Sequence, residues 1–337
     1  MSSLPVIAHT DPSALTRKDF VPSAEVKWCP GCVDYSILNQ VQKLLPTLGI
    51  PRENFAFVSG IGCSSRFPFY METFGLHTIH GRAPAIATGL KLARPDLDVW
   101  VVTGDGDSLA IGGNHFMHAL RRNVGLKVLL FNNRIYGLTK GQYSPTSELG
   151  KVTKSAPLGS IDYPVDPVTL ALGAGATFIA RAMGNDGPQL YDVLARAARH
   201  KGTALVEIYT NCVIFNDGAF DQYTENKAEA QLRMVHGQPL RFGKDGDKGI
   251  AIDQHGRPIV VPGDAPNVLV HDEQSDVLAF LLARLSPPEF PQSFGVLRAV
   301  ERDSYEALAH AQIAAAKAKR KADLQALLGS GETWEVR

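Results

Sequence analysis

The stretch that decides the fold runs from Asp98 to Gln142 and reads DVWVVTGDGDSLAIGGNHFMHALRRNVGLKVLLFNNRIYGLTKGQ. It begins with an apolar, β-branched run that predicts a buried strand over Val99–Thr103. A helical pattern follows, and then a second strand over Leu126–Phe131. A strand–helix–strand unit brings the loops that follow its strands to one edge of a parallel sheet, where open α/β folds bind ligands. We therefore expect an α/β fold with a doubly wound, mainly parallel sheet.

The two loops carry residues suited to a magnesium diphosphate. The first loop is Gly104–Asp107, with the sequence Gly-Asp-Gly-Asp, and the second opens with Asn132 and Asn133. Mg2+ prefers an octahedron of oxygen ligands and usually shares them between protein and phosphate. The Asp105 carboxylate, the Asn133 amide oxygen and the backbone carbonyl of Ile135 can supply the protein's share.

Glycines and a helix start support the same interpretation. Gly104 and Gly106 let the backbone approach phosphates, and a helix expected to begin near Leu109 would point its positive end at them. A lone Gly-Asp-Gly is also an ordinary turn. Gly-Asp-Gly followed, after a helix, by Asn-Asn at the end of the next strand is far more specific. This order resembles the signature of thiamine diphosphate enzymes and implies that superfamily's diphosphate-binding domain.

Composition excludes several classes of protein. The 337 residues are 45% hydrophobic and 20% charged with a formal net charge of zero, which suits one large α/β domain and argues against disorder. A neutral balance gives no indication of nucleic acid or an anionic membrane as a partner. No apolar run is long enough to span a membrane, and the amino terminus lacks a signal-peptide core. We expect a cytoplasmic protein.

A pair of cysteines follows an irregular arm. Prolines break any helix in residues 1–26, and Cys29 and Cys32 then precede a helix predicted over Asp34–Leu45. Taken alone, a Cys-x-x-Cys pair indicates a redox-active dithiol or half of a zinc site. A partial ligand set for an iron–sulfur cluster is the third interpretation.

The other two cysteines favour the third interpretation. Cys63 follows a strand predicted over Phe55–Val58, and Cys212 follows one over Ala204–Ile208. Both are therefore expected at the edge that carries the Gly-Asp-Gly turn. Four converging thiolates suit a [4Fe–4S] cluster. Zinc would satisfy the same count but has no evident task beside a thiamine site, and unligated thiols are the remaining alternative.

Two further segments are candidates for the site. His80 precedes a helix that starts near Pro84, where it can meet the reacting end of the cofactor; capping or packing of the helix is the alternative. Tyr136–Thr146 is a long polar loop, expected to contact substrate or to act as a lid. Lys140 in this loop can meet a substrate carboxylate, or it is simply a solvated lysine.

The rest of the chain predicts completion of the sheet and an extension. Helix–strand alternation resumes at Val168 and completes the sheet at about residue 215. We therefore expect an arm at 1–26, a cofactor-binding domain at 27–215, and an excursion with a carboxyl-terminal extension at 216–337 that contacts partners. The predicted elements of the extension are a hairpin at Gly249–Val261, a strand at Asn267–His271, a helix at Asp276–Leu285, and a terminal helix at Ser304–Leu328 with Leu308, Ile313 and Leu324 inward.

Five motifs in sequence order narrow the resemblance. They are Cys-Pro-Gly-Cys, Gly-Ile-Gly-Cys-Ser, His-Gly-Arg, Gly-Asp-Gly-Asp and Tyr-Gly-Leu-Thr-Lys-Gly-Gln. Over about residues 25–220 the chain resembles the β subunits of the 2-oxoacid:ferredoxin oxidoreductases. The resemblance implies thiamine diphosphate, Mg2+ and one [4Fe–4S] cluster as cofactors, coenzyme A as co-substrate, and ferredoxin as electron acceptor.

The resemblance also implies roles for individual residues. The cluster ligands would be Cys29, Cys32, Cys63 and Cys212, and the Mg2+ ligands Asp105, Asn133 and Ile135. The residues lining thiamine diphosphate would be Ile61, Gly62, Cys63, Ser64, His80, Gly106, Asp107, Gly137 and Leu138. Leu138 and Lys140 correspond to positions linked with the choice of 2-oxoacid, and with His80 they are the candidate catalytic residues.

The implied reaction is the coenzyme A-dependent oxidative decarboxylation of a 2-oxoacid, reversible when ferredoxin is reduced at low potential. Lys140 and the segment 211–217 resemble the 2-oxoglutarate and broad 2-oxoacid branch of the family more than a dedicated pyruvate enzyme. We expect 2-oxoglutarate as substrate and succinyl-CoA as product; pyruvate or a broad range of 2-oxoacids is the alternative. A non-oxidative thiamine decarboxylase or synthase subunit would need no iron. A non-catalytic subunit would have lost its Mg2+ ligands.

One part of the enzyme is missing from the sequence. Thiamine enzymes of this superfamily use a second domain whose glutamate activates the aminopyrimidine, and the chain shows only the diphosphate half. The resemblance implies that an α subunit supplies the glutamate. We expect an obligate heteromer of the form (αβ)2.

Overall fold

A computed structural model describes residues 10–319 and 322–336. The first nine residues of the predicted arm, and residues 320 and 321 of the predicted terminal helix, lie outside the described residues. Within the described ranges no helix combines the length and apolar character needed to cross a membrane.

The described residues form a main sheet of eight strands in the order β2-β1-β3-β4-β6-β5-β11-β7. All neighbours pair in parallel except β5 and β11, which are antiparallel. The strands of this sheet are β1 (Phe55–Ser59), β2 (Phe74–His77), β3 (Asp98–Gly104), β4 (Leu126–Asn132), β5 (Phe178–Met183), β6 (Ala204–Tyr209), β7 (Gln231–Arg233) and β11 (Gln292–Ala299). The expected doubly wound, mainly parallel sheet is confirmed.

A second, three-stranded antiparallel sheet lies in the extension. Its strands are β8 (Arg241–Phe242), β9 (Lys248–Ile252) and β10 (Pro258–Pro262). The pairing of β9 with β10 confirms the predicted hairpin.

Helices cover both faces of the main sheet. They are α1 (Asp34–Leu44), α2 (Ala83–Ala93), α3 (Asp105–Leu109), α4 (Gly113–Arg122), α5 (Pro167–Gly173), α6 (Gly187–Arg199), α7 (Asp221–Thr224), α8 (Lys227–Ala230), α9 (Asp276–Ala283), α10 (Tyr305–Lys319) and α11 (Leu324–Leu328). Short 3-10 helices occupy Pro12–Ala14, Arg17–Phe20, Leu45–Leu48, Arg52–Asn54, Ser64–Tyr70 and Lys244–Gly246.

The central strands are buried on both faces, which explains their continuous apolar runs. In β3, Val99 and Val101 belong to the core beneath α2, α4, α5 and α9. Trp100 and Val102 point to the opposite core, beneath α1 and α6. Because successive side chains of a strand point to opposite faces, one apolar strand contributes residues to both cores. The site loops are held between them.

The helix predicted to begin near Leu109 does not begin there in the structure. The structure has α3 over Asp105–Leu109 and a separate α4 that starts at Gly113. The Gly-Asp-Gly turn is itself the first turn of α3. The predicted long helix is thus broken into two, and its first residues belong to the site.

The sheet was expected to be complete at about residue 215, but it continues beyond that residue. β7 and β11 both come from the extension and form one edge of the main sheet. The strand expected at Asn267–His271 is also wrong. That segment makes an isolated bridge from Val270 to Pro239 rather than a strand within the described residues. The helix predicted nearby is confirmed as α9.

The terminal helix predicted over Ser304–Leu328 is instead two helices, α10 and α11, and the residues predicted to face inward are not buried. Leu308, Ile313 and Leu324, which were expected to face inward, are 51%, 49% and 70% exposed. Glu306 is buried instead, and its carboxylate accepts a hydrogen bond of 3.0 Å from the Gly125 N–H. The alanine-rich helix is anchored at its start and lies against the outside of the fold.

Candidate active site

The site lies at the carboxyl edge of the parallel strands. The loops after β1, β3, β4 and β6 carry Ile61–Ser64, Asp105–Asp107, Asn133–Leu138 and Cys212 respectively. Because these strands are parallel neighbours, their loops meet at one edge. The predicted convergence of the four loops is confirmed.

One cavity brings together most of the predicted residues. The predicted Mg2+ ligands and every predicted thiamine diphosphate residue line it: Ile61, Gly62, Cys63, Ser64, His80, Asp105, Gly106, Asp107, Asn133, Ile135, Gly137 and Leu138. It is also lined by Asp34, Gly104, Phe131, Tyr136 and Thr139. Lys140 does not line this cavity.

Asp105 is a buried carboxylate aimed at the cavity. Its Oδ2 accepts hydrogen bonds from the Ser144 hydroxyl at 2.5 Å and the Thr146 hydroxyl at 2.6 Å. Burial raises the pKa of Asp105, and these two hydrogen bonds oppose the rise. Both donors are neutral hydroxyls, so a cation in the cavity would compensate the buried negative charge. This is the environment that a Mg2+ ligand needs.

Asn133 and Ile135 form a tight turn beside Asp105. The Asn133 Oδ1 accepts a hydrogen bond of 3.1 Å from the N–H of Ile135, which fixes the direction of the amide. Both residues line the same cavity as Asp105. The three predicted Mg2+ ligands are therefore neighbours, and oxygen donors of this kind fit Mg2+.

Asp107 organises the loops around the cavity. Its Oδ1 accepts hydrogen bonds from the Ile61 N–H at 3.1 Å, the Gly81 N–H at 2.7 Å and the His80 Nδ1 at 2.6 Å. Its Oδ2 accepts one from the Thr103 hydroxyl at 2.7 Å. With both oxygens occupied by protein donors, Asp107 ties the loops after β1 and β2 to α3.

His80 is held by this contact in the cavity wall. Its Nδ1 is the atom bound to Asp107, so its Nε2 is the nitrogen left to face the cavity. The side chain is 39% exposed, so it remains accessible to a ligand. A purely structural cap, the alternative considered for this residue, would not need to line the cavity.

Gly106 is required by close packing. A Cβ at this position would lie 2.1 Å from the Tyr136 Cε1, far inside van der Waals contact. The Tyr136 hydroxyl donates a hydrogen bond of 3.1 Å to the Gly106 carbonyl. Tyr136 therefore lies directly over the Gly-Asp-Gly turn and closes one side of the cavity.

The four cysteines line a second, adjacent cavity. Cys29, Cys32, Cys63 and Cys212 share it with Lys140 and with residues of the Cys212 loop. A Cβ at Gly137 would lie 3.6 Å from the Cys63 Sγ and 3.7 Å from the Cys212 Sγ, so the glycine lies next to both sulfurs. The predicted gathering of the four cysteines is confirmed.

Four thiols are the donor set that this cavity offers. In residues 10–319 and 322–336, no three His, Cys, Asp or Glu side chains are grouped as ligands of a single metal ion. Four thiolates are the ligands of a [4Fe–4S] cluster, and zinc takes the same donors.

Burial raises the pKa of the Cys32 thiol well above its usual range, and raises that of Cys63 to about 11. The negative charge of the nearby Asp34 carboxylate raises the pKa of both thiols further. Such thiols remain protonated in the free protein. Bound metal would provide the positive charge that stabilises the thiolates.

Sequence reasoning did not single out Asp34, Tyr136, Ser144 or Thr146. Asp34 lies at the start of α1, lines both cavities and is buried, which raises its pKa to about 7. Its place two residues after Cys32 was the available signal. Ser144 and Thr146 belong to the predicted lid loop, but both are buried against Asp105. Their contact joins segments 39 and 41 residues apart, which no local pattern indicates.

The chain resembles known proteins along most of its length. The family described as "Thiamine pyrophosphate enzyme, C-terminal TPP binding domain" matches residues 60–208. The 2-oxoglutarate oxidoreductase subunit KorB of Mycobacterium tuberculosis is 54% identical over 328 residues, which are 95% of this chain and 88% of the relative. The β subunit of 2-oxoacid:ferredoxin oxidoreductase 2 of Aeropyrum pernix is 45% identical over 209 residues, 62% of this chain and 68% of the relative.

A solved structure agrees with these sequence relatives. It is the 2-oxoglutarate:ferredoxin oxidoreductase from Magnetococcus marinus with 2-oxoglutarate, coenzyme A and succinyl-CoA bound. It matches with a TM-score of 0.77 at 31% identity, over 98% of this chain and all of that chain. The resemblance inferred from the five motifs is confirmed, and the chain belongs to the β subunits of the 2-oxoacid:ferredoxin oxidoreductases.

Proposed function

We propose that this chain is the β subunit of an enzyme that oxidatively decarboxylates 2-oxoglutarate with coenzyme A, giving succinyl-CoA and CO2, and that passes the two electrons through a [4Fe–4S] cluster to ferredoxin. The observation that carries the proposal is the shared wall of the two cavities. Asp34, Cys63, Asn133, Gly137 and Leu138 line both of them. A cluster held by the four cysteines would thus adjoin the cofactor that removes the electrons.

The residues present fit the cofactors that the proposal requires. Asp105, Asn133 and the Ile135 carbonyl would hold Mg2+, and the loops around Gly62 and Gly106 would surround the diphosphate. When bound, thiamine diphosphate would supply the carbon chemistry of decarboxylation. The chain's own residues hold and orient it: Asp107 fixes His80, and Tyr136 covers Gly106.

The preference for 2-oxoglutarate rests on the charge of Lys140, which lines the cysteine cavity beside Leu138, a residue of both cavities. 2-Oxoglutarate carries a second carboxylate that pyruvate lacks. Lys140 is exposed, follows Leu138 by two residues, and has a left-handed backbone with φ of 77°. In the proposal, Leu138 contacts the carbon chain of the substrate and Lys140 attracts its distal carboxylate. The relatives named for 2-oxoglutarate support the same substrate.

An α subunit completes the site in this proposal. Among the residues that line the cofactor cavity in the described chain there is no glutamate. The glutamate that activates the aminopyrimidine would therefore come from the partner, and we propose the form (αβ)2. The extension 216–337 remains a candidate contact surface, because Leu324, Leu327 and Leu328 of α11 are all exposed.

The proposal is tested on the complex purified without oxygen. Reduction of a viologen dye is followed with coenzyme A and either 2-oxoglutarate or pyruvate. We expect faster reduction with 2-oxoglutarate, and we expect Lys140→Met to raise its KM by about tenfold or more, as loss of a charged partner would. Lys201→Met, which removes another exposed lysine, should change neither the rate of dye reduction nor the KM. A preference for pyruvate would overturn the substrate assignment.

Iron analysis separates the alternatives. The proposal requires iron and acid-labile sulfide in the purified complex, and Cys212→Ser should lower the content of both. A non-oxidative decarboxylase subunit would contain neither, and zinc in their place would contradict the electron route. Enzyme that holds iron and thiamine diphosphate but reduces no dye with any 2-oxoacid would refute catalysis.

A further inference from the structure

A chain of buried polar side chains runs from the cofactor cavity into the middle of the sheet. It starts at Asp105, continues through Thr146 and Asn132, and ends at the ion pair of Glu207 and Arg181. All five are at most 5% exposed, and Glu207 and Arg181 are fully buried. The proposed function uses Asp105 but has no use for the other four.

Each link in the chain is a short polar contact. The Thr146 hydroxyl has one proton and two acceptors within reach, the Asp105 Oδ2 at 2.6 Å and the Asn132 Oδ1 at 2.8 Å, so these two oxygens compete for it. The Asn132 Nδ2 donates to the Glu207 Oε1 at 2.8 Å, and the Arg181 Nε donates to the Glu207 Oε2 at 2.6 Å.

The geometry determines which way the Asn132 amide points. Its Nδ2 faces the Glu207 carboxylate, so its Oδ1 faces Thr146 and also accepts a hydrogen bond of 3.2 Å from the Arg134 N–H. If the amide were flipped, its NH2 group would meet that N–H and its oxygen would meet the carboxylate. Glu207 excludes this arrangement, so the Asn132 oxygen faces Thr146 and competes with Asp105 for the Thr146 proton.

A contribution to the stability of the fold does not by itself explain why this ion pair is buried in the sheet. Removing two charges from water costs about as much free energy as their attraction returns, so buried pairs are often no better than packed apolar residues. Arg181 also donates to the Ser293 hydroxyl and to Asp166, each at 3.3 Å. These contacts hold its guanidinium still and so hold Glu207.

We infer that Glu207, supported by Arg181, is a positioning residue for the Mg2+–diphosphate site and acts through Asn132 and Thr146 on the Asp105 carboxylate. The inference rests on the proposed function, because it takes Asp105 as a Mg2+ ligand. Outer-shell partners orient a ligand and tune it, and their loss typically weakens metal affinity by about 10- to 100-fold. We expect an effect of that size from a residue that does not line the cavity.

The test measures binding and not turnover. In the αβ complex stripped of its diphosphate cofactor, Mg2+ is titrated in the presence of excess thiamine diphosphate, and heat release gives the Kd. Glu207→Gln keeps the shape of the side chain, but one of its two polar atoms becomes an NH2 group that faces either the Asn132 amide or the Arg181 Nε–H. Thr146→Val removes the hydroxyl at the other end of the chain. We expect each substitution to raise the Kd for Mg2+ by about tenfold or more.

A matched ion pair provides the control. Glu273 is buried and accepts two hydrogen bonds of 2.6 Å from Arg196, far from the site loops in the chain. Glu273→Gln and Glu207→Gln are both expected to lower the thermal unfolding midpoint, and Glu273→Gln should leave the Kd for Mg2+ unchanged. The iron content of all three variants should equal that of the wild type.

The outcomes separate the inference from the proposed function. Absence of Mg2+-dependent thiamine diphosphate binding in the wild-type complex would refute the proposed function itself. Wild-type binding with a Kd changed less than about twofold in Glu207→Gln would overturn the inference and leave a structural ion pair, whatever the result for Thr146→Val, because Thr146 contacts Asp105 directly. If Glu207→Gln does not fold, Asn132→Leu decides, because it removes the link between Glu207 and Thr146 and leaves the ion pair of Glu207 and Arg181 in place.

Discussion

At the residue scale, Gly106 is explained by space and not by backbone conformation. Its Cβ position is filled by the Tyr136 ring, 2.1 Å from the nearest carbon. Gly106→Ala must therefore displace Tyr136, which covers the turn that would hold the diphosphate. We expect the affinity for thiamine diphosphate to fall by about tenfold or more, since a clash of this kind costs about 1–3 kcal/mol. Calorimetric titration of the cofactor-free complex measures the change.

Gly113 is the matched control for that substitution. It lies in the first turn of α4, and a Cβ there would have no heavy atom within 4 Å. Gly113→Ala should bind thiamine diphosphate like the wild type and unfold at the same or a slightly higher temperature, because alanine favours helix. Equal affinity in Gly106→Ala would mean that Tyr136 can move without disturbing the site.

His200 makes the stability of the fold depend on pH. Burial, with Lys127 nearby, lowers its pKa to about 4 from the usual value near 6.5. Below about pH 6.5, His200 is protonated in the unfolded chain but stays neutral in the folded chain. The free energy of unfolding therefore falls as the pH drops from about 6.5 to 4. Because the ring is only half-buried, we expect a loss on the order of 1 kcal/mol from this residue.

Urea unfolding at neutral and at acidic pH checks this expectation. His200→Gln removes the titrating group, and its loss of stability on acidification should be smaller than that of the wild type. His255→Gln, at an exposed position, should behave like the wild type. An unchanged pH dependence in His200→Gln would show that the ring is protonated in the folded state as readily as in the unfolded state.

Residues of the site that follow a strand were predictable, and residues that reach it from elsewhere were not. Asp105 and Asn133 end apolar runs, and the register of a parallel sheet brings such positions together. Ser144 and Thr146 sit in a polar loop whose folding back onto Asp105 depends on tertiary packing. Glu207 lies inside an apolar run, where its sequence context indicated only a buried strand.

At the scale of elements, α10 contributes little to the core. Leu308 and Ile313 are each about half exposed, and the helix is tied to the fold at Glu306 and by a hydrogen bond of 3.0 Å between His310 and the Leu92 carbonyl. We expect Leu308→Ala and Ile313→Ala each to lower the free energy of unfolding by less than about 1 kcal/mol, because little apolar area is lost. Urea unfolding of the variants measures this.

Leu282 of α9 provides the comparison. It is fully buried in the core beneath the sheet, so Leu282→Ala should cost about 2–5 kcal/mol. A cost of that size for Leu308→Ala in the complex would mean that a partner covers α10. Measuring the unfolding of both the complex and the free chain would show whether the cost appears only in the complex.

Elements were predictable where their apolar period was clear. β1, β3, β4, β5, β6 and α9 follow from pattern alone, whereas β2 and β7 were not predicted. β11 was not predicted because it pairs with β5 in the antiparallel sense and follows a long excursion. The regular helix–strand alternation that indicates the other strands is therefore absent before it. The inward face assigned to α10 failed for a related reason. An alanine-rich helix with scattered leucines has no well-defined apolar side.

At the scale of the whole molecule, the chain exposes apolar side chains that a subunit can cover. The segment 149–163 follows the loop that holds Asp105, and in it Leu158, Ile161 and Tyr163 are 99%, 85% and 82% exposed. Exposed apolar groups of this size on one segment are typical of interaction surfaces. Ser147, just before the segment, donates a hydrogen bond of 2.7 Å to the Arg134 carbonyl, which links the segment to the site.

We therefore expect segment 149–163 to contact the α subunit. Leu158→Glu and Ile161→Glu introduce charges that would be buried at such a contact, and each should weaken the association of α with β by about tenfold or more. Sedimentation of the mixed subunits measures it, and thermal unfolding of the free β variant should match the wild type. Val277→Glu, at a position 78% exposed on α9, is the control and should associate normally. If the segment variants associate normally and Leu324→Glu in α11 does not, the contact lies on the carboxyl-terminal extension instead.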